Sequence, residues 1–163
     1  RGELISVSRI VHVEKSWEKA RGGERIEKYA KKILIENGYE PKMEIKYVNA
    51  ICPGCGIELF AVFENTVIAW DCVGEKGLKA ETRGKVCAEK LLEELKSDCV
   101  VDRHCADQLI PFMAISCLEN QKECEIKTSE ITRHCKTNIW VVEKFLPVKF
   151  KIENNLISVK HFQ

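Results

Sequence analysis

A histidine set between two cations at the start of a helical run can act as a nucleophile toward phosphorus. The segment Thr132-Arg133-His134-Cys135-Lys136-Thr137-Asn138 has that pattern. A neutral imidazole nitrogen can attack a phosphorus atom and form a phosphoramidate. The N–H groups of a helix N-terminus, with Arg133 and Lys136 beside them, would hold the phosphate oxygens. The residues alone favour the plainer reading, a helix cap carrying a surface histidine.

A second cluster runs from Asp102 to Ala114, DRHCADQLIPFMA. On a helix, His104, Asp107 and Gln108 stand at i, i+3 and i+4 and share a face. Cys105, Leu109, Phe112 and Ser116 fall on another, mainly apolar face, which is expected to anchor the helix in a core. Pro111 removes a helical hydrogen bond and is expected to kink the run. The competing reading is an ordinary surface helix with its polar residues outward. A third motif, CPGCG at residues 52–56, suits half a zinc knuckle, a redox dithiol, or a turn with two unreactive thiols. No second CxxC or HxxxH completes a zinc site, and the motif leads into a strand rather than a helix. His12 and His161 sit in strand-like contexts without a cluster and receive no role.

The elements that must position these groups follow from periodicity. Residues 3–13 alternate as a strand. Ser16 is placed to cap a helix over Trp17–Asn37, in which Ile26, Tyr29, Ala30, Ile33 and Leu34 recur on one face. Gly22-Gly23 weakens that helix or restarts it, and Asn37-Gly38 stops it. Met43, Ile45 and Tyr47 mark a half-exposed strand. Ile57–Phe63 and Thr66–Val73 read as a hairpin around Glu64-Asn65, and GEKG at 74–77 as a turn. Glu81–Lys96 is a helix with Val86, Leu91, Leu92 and Leu95 toward the core, closed by Ser97-Asp98. A second unit is expected beyond a boundary near 97–102. It has a helix over Val101–Cys117 and a strand over Cys124–Ser129. A helix from His134 or Thr137 to Leu146 carries Ile139, Val142 and Phe145, and a terminal hairpin turns around Glu153-Asn154-Asn155. Such mixing, with sheets at least partly antiparallel, is α+β.

Composition sets the bounds. Of 163 residues, 45% are hydrophobic and 31% charged, too apolar for disorder and enough for one large or two small domains. No run of about 18 apolar residues offers a membrane span. The opening RGELISVSRIVHV lacks the apolar segment of a secretory signal and a starting Met, so a fragment of a longer chain is expected. With 26 basic against 25 acidic residues, the chain does not suit a protein that coats nucleic acid, although gripping an RNA end needs no large charge. The nine cysteines are an odd count and are expected to be mostly reduced, small apolar residues, unless the host tolerates intracellular disulfides.

Taken together, Val101-Asp102 through Leu109 and His134 through Leu146 resemble the RNA 3'-terminal phosphate cyclase family. The family's last core repeat carries a D-x-[YH]-x-x-D-Q-L helix followed by H-x-x-T-N-x-x-V-V-E-x-F-L. RGELISVSRIVHV and the CPGCG-containing stretch also resemble the family's inserted domain in its archaeal branch. The resemblance implies a βαβαββ-type repeat plus a small α/β insert. Residues 1–7 would end a preceding core repeat, 8–99 form the insert and 100–163 the C-terminal repeat. It implies a cytoplasmic, ATP-dependent ligase-type enzyme that converts RNA 3'-phosphate ends to 2',3'-cyclic phosphates through enzyme-histidine-AMP and RNA-adenylate intermediates. His134 matches the adenylated nucleophile, and His104, Cys105, Ala106, Asp107 and Gln108 match the ATP-binding segment. Where this chain has His104 the family often has Tyr, whose ring stacks on adenine. The resemblance implies that Asp107 orients or polarises His134 and that Gln108 bonds the nucleotide or the histidine. It implies Mg2+ or Mn2+ as the screening cation and the missing N-terminal half of the protein as a partner, and it allows a homodimer. The 163 residues alone are expected not to turn over. Three other readings stand beside it: a non-catalytic cyclase-like ribosome-assembly protein, a zinc or redox module built on Cys52 and Cys55, and a carboxyvinyl transferase of similar repeat architecture. The presence of His134 argues against the first, and the motif pairing against the last.

Overall fold

The computed structural model of the chain describes residues 1–75 and 77–161, without the side chain of Met43. It divides into two compact units, Arg1–Lys96 and Ser97–Gln163. Helices and sheets are mixed in both, an α+β architecture.

The first unit begins with β1 (Leu4–Glu14), whose alternating burial follows from Val7, Arg9, Val11 and Val13 pointing to one side. A 3-10 turn (Lys15–Trp17) follows, and Glu14 rather than Ser16 supplies its cap, accepting from the Ser16 N–H. The helix then restarts: α1 spans Gly22–Glu36 behind Arg21, which has φ 51°. Along α1, Ile26, Ala30 and Leu34 are buried, whereas Tyr29 is 41% exposed and stands outside the expected stripe. Asn37 and Gly38 end the helix as expected, Gly38 with φ 86°. Next come β2 (Pro41–Val48), β3 (Cys55–Phe63), β4 (Val67–Val73) and α2 (Ala80–Lys96). The sheet runs β2-β1-β3-β4, with β1 and β2 parallel across the α1 crossover and the other pairs antiparallel. The expected GEKG turn includes Lys76, which lies outside the described residues, and the half-exposed reading of Met43 also falls outside them. On α2 the buried face is Arg83, Gly84, Cys87, Ala88, Leu91, Leu92, Glu94 and Leu95. Val86 was expected inward but is exposed, because Cys87 takes the core position next to it.

The second unit holds α3 (Arg103–Asn120), β5 (Cys124–Lys127), α4 (Arg133–Phe145), β6 (Val148–Glu153) and β7 (Leu156–His161). The three strands form an antiparallel sheet in the order β5-β7-β6. Val101 adds a single parallel bridge to Thr128. Helix residues Ile110, Met113, Ala114, Cys117, Cys135, Ile139 and Val142 pack with Val148, Phe150, Ile157 and Val159. Phe145, expected with Ile139 and Val142, is 82% exposed at the last turn of α4.

Glu143 locks α4 to β6. Its carboxylate accepts from the Phe150 N–H at 2.8 Å and from Lys149 Nζ at 2.6 Å. Burial raises the pKa of this carboxyl, but the hydrogen bonds from Lys149 and Phe150 outweigh it and leave the group below its ordinary value. A carboxyl lowered in the folded state stabilises fully above its unfolded pKa, about 4.3, and loses that contribution as pH falls through the lowered folded value. Urea unfolding from pH 6 down to pH 3 is therefore expected to show an acid-side loss that is shallower in Glu143→Gln. Equal slopes in the two proteins would refute this.

Candidate active site at the start of the last helix

Two helix N-termini meet in the second unit, each with its own cap. Asp102 caps α3, accepting from the His104 and Cys105 N–H groups at 3.0 and 2.8 Å. Thr132 caps α4, its Oγ1 accepting from the Cys135 N–H at 2.9 Å. The Thr132 hydroxyl also donates to Asp107 Oδ1 at 2.6 Å, so one oxygen caps α4 and ties it to α3. Arg103 adds an ion pair to Glu130 in the segment leading into α4.

Asn138 makes the third tie, donating from Nδ2 to the backbone carbonyl of Asp107 at 2.7 Å. In a helix that carbonyl accepts from the N–H four residues on, and here that residue is Pro111, which has none. Despite the expected kink, α3 is continuous from Arg103 to Asn120. The carbonyl freed by Pro111 is the one that Asn138 takes. Asn138→Ala would leave it without its donor, at a cost of about 1–3 kcal/mol. Pro111→Ala restores the missing N–H, so the double variant Pro111→Ala/Asn138→Ala is expected to regain most of that loss in urea unfolding. Simple additivity of the two changes would refute the pairing.

These ties set where each expected site residue stands. His134 lies in the first turn of α4, two residues past the cap, with an exposed side chain that makes no hydrogen bond among the described residues. Arg133 and Lys136 are exposed beside it. Their N-terminal turn precedes the first intrahelical acceptors, so the Arg133 and His134 N–H groups have no partner within the helix. On α3, His104 and Gln108 are exposed, Cys105 is half-buried, and Ala106 and Asp107 are buried. The Asp107 carboxylate bonds Thr132 rather than the His134 ring. Its charge is felt in the same turn: burial first, then Asp107, pushes the Cys135 thiol up to about 11. Burial, followed by Asp102, likewise raises Cys105, so both thiols are inert under ordinary conditions.

The face that anchors α3 differs from the expected one. Its buried residues are Ala106, Asp107, Ile110, Met113, Ala114 and Cys117, while Phe112 is 66% exposed. Residues 104, 107 and 108 therefore do not project together: Asp107 turns inward as a tether, and His104 and Gln108 stay outside. Thr132 and Asn138 were not singled out as site residues by sequence. Thr132 had a legible signal, since a threonine before a helical run is a cap candidate. The role of Asn138 depends on a contact between helices.

The CPGCG motif places Cys52 exposed in a bend and Cys55 at the start of β3. Among the described residues, no group of three His, Cys, Asp or Glu is placed to hold a metal ion. The zinc reading thus finds no further ligands among the described residues.

The fold and the tethered helix ends define a two-unit α+β protein with an open, cation-flanked histidine on a braced turn. The RNA 3'-terminal phosphate cyclase family matches residues 12–152, and the chain belongs to that family. Similar curated proteins named RNA 3'-terminal phosphate cyclase come from archaea. That of Pyrobaculum neutrophilum is 39% identical over 132 residues, covering 80% of this chain and 37% of the relative. That of Methanosarcina barkeri is 41% identical over 124 residues, covering 76% and 35%. That of Pyrococcus abyssi is 39% identical over 137 residues, covering 84% and 38%. The chain thus spans well under half the length of these relatives.

Proposed function

We propose that this chain carries the nucleotidyl-transfer end of an ATP-dependent RNA 3'-terminal phosphate cyclase, with His134 as the nucleophile. A His134 ring nitrogen attacks the α-phosphorus of ATP, forming an N–P bond and expelling pyrophosphate. The adenylyl group passes to the terminal 3'-phosphate of RNA, freeing the histidine. The adjacent 2'-hydroxyl then attacks the activated phosphate, and AMP leaves as the 2',3'-cyclic phosphate closes. Activation is the reason for the detour, because AMP is a far better leaving group than oxide.

The observation that carries the reading is the placement of His134. It stands on an unobstructed helix N-terminus between Arg133 and Lys136, on a turn fixed by the Thr132–Asp107 bond. Free N–H groups and cations there favour phosphate oxygens. His104, exposed at the start of α3, is the ring proposed to stack on the base, with Gln108 one turn along as a hydrogen-bonding partner for the nucleotide. Magnesium or manganese would enter with the nucleotide phosphates and screen their charge. The exposed Phe112, Trp140 and Phe145 are apolar surface on which the remaining core of the enzyme would rest. We assign residues 1–7 to the end of the preceding core repeat, 8–99 to the inserted domain and 100–163 to the final core repeat, and the 163 residues alone are expected not to turn over.

The test is incubation of the protein, extended to the length of its relatives, with α-labelled ATP and Mg2+. An acid-labile, alkali-stable protein label that is discharged by RNA bearing a 3'-phosphate is the expected result. Absence of any covalent label would overturn the reading.

A further inference from the structure

In the first unit, the β3–β4 hairpin and α2 gather three cysteines around one buried guanidinium. Cys55 opens β3, and Cys72 of β4 pairs with Ile57, two residues further along β3, so the two cysteines lie diagonally on one face. Arg83 and Cys87 stand one turn apart on α2 and face the same patch. Cys87 Sγ lies 3.5 Å from the Trp70 carbonyl and 3.8 Å from that of Ile57, the ladder partner of Cys72. Cys87 Sγ thus lies against the β3–β4 backbone at the ladder pair that carries Cys72.

Arg83 is only 2% exposed. It donates to Cys55 Sγ at 2.5 Å and to the Leu78 carbonyl at 3.5 Å, and its Nε has no partner among the described residues. No carboxylate pairs with it among the described residues. The sulfur within its hydrogen-bond reach is that of Cys55. The neighbouring Cys87 thiol is the main influence drawing Cys72 down, to about 7, against burial and Asp71, with Arg83 helping. The Cys72 thiol, with burial, pushes Cys87 up, and burial keeps Cys55 above its ordinary value despite Arg83. Cys72 is half-buried, whereas Cys87 is fully buried against the β3–β4 backbone.

We propose that Cys72 and Cys87 form an oxidation site, in which a hydroperoxide converts the pair into a disulfide joining β4 to α2. The Cys72 thiolate attacks one peroxide oxygen and the O–O bond breaks. This gives Cys72 sulfenic acid and a hydroxide or alkoxide that takes up the proton Cys72 released. The Cys87 sulfur then attacks the Cys72 sulfur, the S–O bond breaks, and the departing hydroxide leaves as water with the Cys87 proton. Two thiols and one peroxide give one disulfide and two molecules of water, or one of water and one of alcohol. Arg83, hydrogen-bonded to Cys55, adds positive charge to this patch and takes no part in bond making. This site is independent of the chemistry at His134.

Hydrogen peroxide is the probe. The chain is treated with it, residual thiols are alkylated, and peptides are mapped by mass spectrometry. The Cys72–Cys87 bridge is expected to form first, at least about tenfold faster than oxidation of the half-buried Cys105 or Cys124, and to reverse with dithiothreitol. Cys87→Ser should leave a Cys72 sulfenic acid that dimedone traps, a result that does not require the bridge. Arg83→Lys, which keeps the charge in case Arg83→Met fails to fold, should retain most of the rate. A Cys52–Cys55 or Cys55–Cys72 bridge forming first, or Cys72 reacting no faster than Cys105, would overturn the proposal.

Discussion

Replacing His134 by alanine is expected to lower covalent adenylate formation from ATP by at least about a thousandfold, since the atom that makes the N–P bond is gone and no neighbouring group replaces it. The position makes this a clean experiment. The His134 ring is exposed and bonds nothing among the described residues, so its loss empties no cavity and leaves no buried partner unsatisfied. Changes at such positions fall within about 0.5 kcal/mol of neutral. A melting temperature unchanged within error, alongside lost labelling, would therefore assign the effect to chemistry. Asn138→Ala gives the contrasting profile: it loosens the Asp107–α4 brace, so stability falls while the nucleophile remains. If His134→Ala labelled as well as the parent, the nucleophile would lie elsewhere and the role assigned to this turn would fail.

The sequence made the frame of this site readable but not its bracing. The strands are legible because Val7 and Val13 stand between polar neighbours in an apolar run, and the hairpin at Glu64-Asn65 because turn residues interrupt two apolar runs. The start of α4 is legible because Thr132 precedes a run with Ile139 and Val142 at helical spacing. On α3 the reading of faces fails for a physical reason. Small residues such as Ala106 and Ala114 make its core side, while Phe112 and Ile115 make its exposed side, so hydrophobicity is spread around the helix and selects no direction. The burial of Asp107 is equally hidden, since it depends on a hydroxyl 25 positions away. The VVEKFL stretch illustrates a different limit: a motif that marks the family also contains fold-keeping residues. Its Glu143 binds β6 and does no chemistry visible here.

Gly84→Ala is expected to destabilise the first unit more than any other single-methyl change in it. The ideal Cβ at that position would sit 2.1 Å from the Ile26 carbonyl oxygen and 3.1 Å from the Ala30 nitrogen, both in the backbone of α1. No rotamer change can relieve a clash between a Cβ and a neighbouring main chain, so α1 and α2 must separate. Separation loosens Ile26, Ala30, Cys87 and Leu91, all fully buried at or near that crossing. Overpacking typically costs about 1–3 kcal/mol and sometimes more, and a clash this close belongs at the upper end. Alanine's better helix propensity returns only about 1 kcal/mol. The clash therefore decides the sign, and the net loss of about 2 kcal/mol should lower the melting temperature by about 10 °C for a unit of this size. Gly54→Ala provides the control, because the nearest atom to its added methyl is 4.0 Å away. Circular dichroism melts that fell equally for both variants, or for neither, would show that α1 and α2 do not meet through Gly84. The same crossing orients α2, and with it Arg83 and Cys87, against Cys55 and Cys72. Gly84→Ala should therefore also slow Cys72–Cys87 bridge formation in the fraction that stays folded, whereas Gly54→Ala should leave it unchanged.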